Sequence, residues 1–422
     1  MALTLDDRDR ALLDGEAGPA AALAMRIVSR TAEVMQADRL VDITGAHIDS
    51  CIYNGQASVD FAQRLADGGA QVSVPTTLNV SSIDLIHPEL FRGDAHTAAR
   101  GRLLMELYEA MGCRPTFTCA PYQEDNRPAL GEHVVWAESN AIVFANSVLG
   151  ARTHRYGDFL DIAAAITGRA PLAGLHLDEN RLATVVFDVS AVPDRLLALD
   201  AFYPLLGHHI GKRVGKQIPV VVGAPEGIAE HRLKALGAAS AAAGAVGMFH
   251  VVGSTPEAPT LEAALGGTPA AETHAVTAAD IRLARDQLTT STSRRLGAVS
   301  LGTPHYSVAE FERVVDLLGE RRVHPAVNLY INTGRSVANE IGLRGWTPRL
   351  EAAGVKIVTD TCTYITPIMA DVDGVAMTDS AKWAYYAPGN LAIDAAFGSV
   401  EDCIESAIRG EIVRDDAVWA DA

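Results

Sequence analysis

Glu138, Ser139, Asn140, Asn146, Ser147 and Arg152 all fall in one otherwise apolar stretch, residues 131–153. Six hydrogen-bonding side chains are costly to bury without partners, and a segment serving only as core would carry aliphatic residues there. Just upstream runs Thr116-Phe-Thr-Cys-Ala-Pro-Tyr122, which sets Cys119 before a Pro-Tyr turn. Polar groups and a thiol on an apolar frame read as the floor of a ligand site.

Other reactive groups are dispersed. The five cysteines, Cys51, Cys113, Cys119, Cys362 and Cys403, are odd in number and far apart. In a long chain without a basic, apolar leader, that pattern favours thiols or metal ligands over a disulfide framework, and a cytoplasmic location. Arg152, Arg335 and Lys382 are candidates to hold a carboxylate. A surface ion pair is the common alternative for such residues. It suits Lys382 least, because Ser380-Ala-Lys382 runs into the aromatic wall Trp-Ala-Tyr-Tyr-Ala-Pro388. His47 and His305 follow apolar runs and are placed to donate hydrogen bonds or move protons; a structural role is the competing reading. Glu138, Asn146 and Ser147 either orient a substrate or cap a helix inside the core. Asp178, Glu179 and Arg181 read as a buried ionic knot holding a loop.

The elements that must position these groups alternate along the chain. Residues 5–35 read as helices interrupted by glycine. Strands are expected at 40–44, 71–74, 184–189, 218–222, 246–252, 298–300, 328–331 and 356–359, with helices between them at 58–67, 228–243, 278–289, 308–318 and 336–342. That order predicts an α/β fold of mainly parallel sheets flanked by helices, with ligand groups at the carboxyl ends of strands. Gly302-Thr-Pro-His305, Asn332-Thr-Gly-Arg335 and Asp360-Thr-Cys362 each follow a strand candidate. Residues 253–276 read as loop. Gly207-His-His-Ile-Gly-Lys212 lacks the spacing of a phosphate loop and reads as helix packing. Three domains are expected, at about 1–200 with the Cys51 and Cys119 loops, 201–295, and 296–422 with the Cys362 loop. The 422 residues carry a formal charge of −17, which excludes a phosphate-neutralising nucleic-acid surface, and no run reads as a membrane span.

The chain resembles the aconitase X family, in its large-subunit region, over nearly its whole length. The landmarks are Ala46-His-Ile-Asp-Ser-Cys51, Val74-Pro-Thr-Thr-Leu-Asn79, Thr118-Cys-Ala-Pro-Tyr122, Trp136-Ala-Glu-Ser-Asn140 and Ala145-Asn-Ser-Val-Leu-Gly-Ala-Arg152. Further on come Gly174-Leu-His-Leu-Asp-Glu-Asn-Arg181, Leu301-Gly-Thr-Pro-His305, Thr359-Asp-Thr-Cys362 and Asp379-Ser-Ala-Lys382. The resemblance implies an aconitase-like large subunit and iron–sulfur-dependent removal of water from a small hydroxy acid. It implies Cys119 and Cys362 as cluster ligands. Threonine replaces the cysteine that other members carry in a Gly-Cys-Pro-His turn, so Thr303 becomes a substrate-side group together with His305. The third thiolate then comes from Cys51, or the centre holds only two; Cys113 is a competitor for that place, and Cys403 reads as core.

Within the family, dehydration of cis-3-hydroxy-L-proline to 1-pyrroline-2-carboxylate and dehydration of mevalonate 5-phosphate are the two activities implied. The turn at Thr303 and the Cys51 loop resemble the hydroxyproline group. The resemblance also implies a small swivelling domain carrying a serine base, expected here as a separate small subunit. Failing that, Ser380, beside Lys382, is the local candidate. The opposing reading is a non-catalytic, aconitase-like scaffold or iron-responsive protein.

Overall fold

The computed structural model describes residues 3–369 and 372–419. It divides into two compact units, Met1–Ile83 with Asp94–Leu182, and Asp84–Gly93 with Ala183–Ala422. Among the described residues no helix is long and apolar enough to cross a membrane.

In the first unit, helix Asp7–Asp14 opens on a capping box in which Asp6 and Asp9 exchange side-chain and backbone hydrogen bonds. Gly15 ends it in the left-handed region. Helix Pro19–Val34 follows, with proline at its start and Ala24, Met25, Val28 and Ala32 buried. That is the spacing of one apolar helical face. The site-bearing element is a three-stranded parallel sheet with Gly45–Ile48 in the middle. Thr76–Leu78 pairs on one side and Val134–Trp136 on the other. All ten of these residues are buried.

Two wholly parallel sheets make the second unit. One runs in the order His250–Val251, Pro219–Val222, Val185–Asp188, Glu272–Ala275. The other runs Val355–Val358, Asn328–Thr333, Leu296–Tyr306, Val375–Thr378, Ala395–Phe397. Helix Val308–Leu318 begins on a Ser307–Glu310 capping box and sets Phe311, Val314, Val315 and Leu318 into the core over the five-stranded sheet. Helices Phe202–Val214 and Glu230–Ala243 pack backbone to backbone. A Cβ on Gly207 would stand 2.2 Å from the Leu236 carbonyl oxygen, so this glycine pair serves helix packing as its spacing predicts.

The differences from the sequence reading have local causes. Residues 71–74 are not a strand; the pairing starts two residues later, at Thr76, beyond Pro75. The stretch 253–276 is not all loop: it holds helix Leu261–Leu265 and the edge strand Glu272–Ala275, whose exposure gives it no apolar alternation to read. The central strand runs from Leu296 to Tyr306 rather than stopping at Ser300.

Candidate functional site

In each unit the chemistry-bearing side chains collect at the carboxyl ends of parallel strands, where strand-to-helix turns free the backbone to present them. In the first unit Asn79 follows one strand, Asp49 the central one and Glu138 the third. Glu138 caps helix Ser139–Phe144, accepting from the Ala141 amide at 2.8 Å. It also accepts from the Asn140 side chain, whose other bonds reach the Cys119 carbonyl at 2.7 Å and the Tyr122 hydroxyl at 2.7 Å. One polar clasp therefore ties the Cys119 turn to the Glu138 helix. His47, fully buried, bonds through Nδ1 to Thr77 Oγ1 at 2.8 Å. Loss of solvation pushes its pKa down to about 4, so the ring is neutral at physiological pH. The Asp49 carboxyl is pushed up to about 8 by desolvation and then by the charge of Glu138.

In the second unit the turn after the long central strand is built by Gly302. Its φ is +81°, and a Cβ there would lie 2.2 Å from the Asn332 carbonyl oxygen. Beyond it the register with Asn328–Thr333 shifts, so Thr303, Pro304 and His305 bulge out of the ladder. The His305 ring approaches the Thr361 carbonyl at 3.1 Å through Nε2. A carbonyl only accepts, so Nε2 carries the proton, and Cys362 Sγ lies 3.5 Å from the same nitrogen. Cys362 is buried in the turn that Asp360 opens with φ +59°. Arg335 closes that turn with two bonds to the Asp360 carboxylate at 2.6 and 2.8 Å. Ser380 caps helix Ala381–Leu391, accepting from the Trp383 amide at 3.1 Å and donating to the Thr303 carbonyl. Lys382 is buried behind it, with Nζ 5.9 Å over the Tyr364 ring. The Thr303 hydroxyl is buried and has no protein partner.

Asp379 lies beside this cap, fully desolvated, and accepts from the Tyr306 hydroxyl. Burial pushes its pKa up to about 7, above its ordinary value of 3.8. The folded protein thus keeps a proton that the unfolded chain gives up. The associated stability is complete below about pH 4 and is lost as pH rises through about 7. Asp379→Asn is expected to raise Tm at pH 8 and leave it unchanged at pH 4. Thermal melts at the two pH values check this, and an identical shift at both would show that the carboxyl does not titrate in that window.

Several residues singled out in the sequence turn out to be tightly engaged. Asn146 bonds the Thr153 carbonyl and amide at 2.9 and 3.0 Å and receives Arg181 at 3.0 Å. Arg181 is buried, and its bonds to Asn146 and to the Leu175 carbonyl at 2.9 Å are to neutral oxygens. Exposed Asp178 pairs with Arg152 at 2.6 Å. Ser147 is buried in the π-helical turn Ala145–Leu149. Cys51 donates to the carbonyls of Ile48 and Asn79, both at 3.3 Å, and burial raises its pKa well above the ordinary value. That is the state of a packed thiol rather than a thiolate.

The sequence reading passed over three groups. Asp49 and Asn79 stand inside quoted landmarks, and their position at adjacent strand ends was the available signal. Lys234, buried in helix Glu230–Ala243, bonds the His305 carbonyl at 3.1 Å and pairs with Glu310. Nothing in the pattern of this alanine-rich helix marks such a lysine.

Parallel sheets with thiol, imidazole and ammonium groups at their carboxyl ends describe the site of an α/β enzyme. The sequence matches the Aconitase X first domain over residues 2–179, the second over 183–286 and the third over 296–409. This chain belongs to the aconitase X family. It is 46% identical over 412 residues to a cis-3-hydroxy-L-proline dehydratase of Pseudomonas aeruginosa, covering 96% of this chain and 70% of that one. A cis-3-hydroxy-L-proline dehydratase of Hypocrea jecorina is 40% identical, with 97% and 69% covered. The phosphomevalonate dehydratase large subunit of Thermococcus kodakarensis is 36% identical, with 90% and 94% covered. The crystal structure of Thermococcus kodakaraensis aconitase X (holo-form) superposes with a TM-score of 0.85 at 34% identity, covering 96% of this chain and all of that one. The chain is thus a hydro-lyase of dehydratase type. Its buried thiols Cys119 and Cys362, and the buried imidazole of His305, are donor types compatible with an iron–sulfur cluster.

Proposed function

We propose that this protein removes water from cis-3-hydroxy-L-proline, giving 1-pyrroline-2-carboxylate. The observation that carries the reading is the 46% identity across 96% of the chain to a dehydratase of that substrate, above the 36% to a phosphomevalonate dehydratase large subunit. The proton next to the carboxylate is removed, the hydroxyl leaves as water, and the resulting enamine tautomerises to the cyclic imine.

Cys119 and Cys362 would hold an iron–sulfur cluster, which when bound supplies a Lewis acid for the departing hydroxyl. Both thiols are buried and outside any disulfide, and a protonated Nε2 beside Cys362 suits a sulfur that must carry negative charge. The proposal leaves Cys51 out of the ligand set because its thiol is spent on backbone carbonyls. Cys51→Ala is accordingly expected to keep its iron, measured per chain after anaerobic reconstitution. Iron loss in this variant, with Cys119 and Cys362 intact, would return Cys51 to the ligand set.

Lys382 holds the substrate carboxylate, and Ser380 fixes the Thr303 turn against the helix that carries it. Thr303 and His305 line the substrate side of that turn. Arg335 and Arg152 act through their carboxylate partners, one holding the Cys362 turn and the other the loop at Asp178; Asn146 and Ser147 shape the floor behind Glu138. The base is assigned to a small-domain module. Support comes from the large-subunit name of the phosphomevalonate enzymes. Turnover of cis-3-hydroxy-L-proline by the iron-loaded protein, followed by trapping of the cyclic imine, tests the reading.

A further inference from the structure

The bulge at Thr303–His305 is held from outside its own sheet. Leu301 and Tyr306 pair with Ile331 and Thr333, and the register shifts between them, so the His305 carbonyl lies in the irregular stretch. Lys234 donates to that carbonyl at 3.1 Å and to the two Glu310 oxygens at 2.8 and 2.5 Å. An ammonium has three N–H donors, and these bonds use all of them. Glu310 Oε2 also accepts from the Ser307 amide at 2.8 Å and the Ser307 hydroxyl at 2.7 Å. One ammonium therefore ties the bulge to the start of helix Val308–Leu318. The lysine side chain is 4% exposed, on helix Glu230–Ala243 among buried Leu233, Leu236 and Ala238. Stability does not explain a charge in that place, because apolar side chains of similar volume in place of a buried ion pair are often neutral or stabilising. What an apolar pair cannot supply is the bond to His305.

We propose that Lys234 is a positioning residue for the reaction. Its bond fixes the His305 backbone, and so keeps the ring N–H on the Thr361 carbonyl at 3.1 Å and beside the Cys362 sulfur at 3.5 Å. Without that bond the bulge has room to relax, because Lys234, Thr303, Pro304 and Lys382 line a common cavity of about 40 Å³. The inference rests on the proposed function, which takes Cys362 as a cluster ligand and the Thr303 turn as the substrate side.

Three variants separate this role from that of a counter-ion for Glu310: Lys234→Met, Glu310→Gln, and the two together. The readouts on the iron-loaded protein are iron affinity in competition with a chelator, the midpoint potential of the bound cluster, and kcat and KM on cis-3-hydroxy-L-proline with a small-domain module supplied. Lys234→Met should hold iron about 10- to 100-fold less tightly, the scale of an outer-shell change. Its potential should fall, since hydrogen bonds to cluster sulfur help to set it, and kcat should fall by more than KM rises. Glu310→Gln keeps the His305 bond and the Ser307 cap, and should match the parent. The double variant removes both charges yet should behave as Lys234→Met does. Recovery of parent values in the double variant would make Lys234 a counter-ion only and overturn the inference. So would an unchanged iron affinity and potential in Lys234→Met. If neither lysine variant folds, Glu310→Gln decides: parent-like iron affinity and potential support the His305 bond, and loss of either overturns it. If the parent loads iron but leaves hydroxyproline intact, the function fails and the iron and potential readouts still decide Lys234. If the parent takes up no iron, the cluster reading fails and the inference falls with it.

Discussion

Cys362→Ser is expected to purify, after anaerobic reconstitution, with iron near background and without visible sulfur-to-iron absorbance. Serine matches the thiol in size, so the turn that Asp360 and Arg335 lock should persist. The loss is chemical: a hydroxyl is not deprotonated near neutral pH and is a poor ligand for iron. Changing an outer-shell partner alone costs about 10- to 100-fold in metal affinity, and removing a thiolate should cost at least as much. Cys119→Ser is expected to behave in the same way, while Asn140 keeps its bond to the residue 119 carbonyl and so preserves the turn. Iron analysis per chain is the check. A normal iron content in either variant, with an unchanged melting temperature, would remove that cysteine from the ligand set.

Lys382→Ala should lower kcat/KM by about ten- to a hundredfold, the contribution of a charge-assisted hydrogen bond to a carboxylate. The side chain is buried beside Tyr364 and stems from the first turn of a helix capped by Ser380. Burying an ammonium has a desolvation cost that a substrate carboxylate would offset. In the proposed role the lysine would act on substrate, so iron content should stay at the parent level, which separates this variant from the cysteine variants. Steady-state kinetics on cis-3-hydroxy-L-proline check it; an unchanged kcat/KM would make Lys382 a structural cation.

Much of the fold was legible because parallel strands buried on both faces leave dense apolar runs, as at Val185–Asp188 and Asn328–Thr333. The strands Gly45–Ile48 and Val134–Trp136 were harder. Three and four residues long, they carry a histidine or adjoin polar residues, and only pairing with neighbours makes them strands. The exposed edge Glu272–Ala275 gave no pattern at all.

The candidate site was legible as residue types: Cys119, Cys362, His305, Glu138 and Lys382 all stand out in the sequence. What each of them touches was not. Cys51 looks like a ligand in a polar loop, yet its thiol folds back onto carbonyls of two neighbouring strands. Arg181 reaches both the side-chain and main-chain oxygens of Asn146, a segment 35 residues away that the sequence does not join to it. Asp49 and Asn79, 30 residues apart, become partners only because their strands are adjacent and parallel.

The central claim is most directly tested by offering the reconstituted protein, with a small-domain module supplied, cis-3-hydroxy-L-proline and mevalonate 5-phosphate in parallel. The account predicts conversion of hydroxyproline to a trappable cyclic imine and no turnover of the phosphate ester. Dehydration of mevalonate 5-phosphate with hydroxyproline left intact would contradict it.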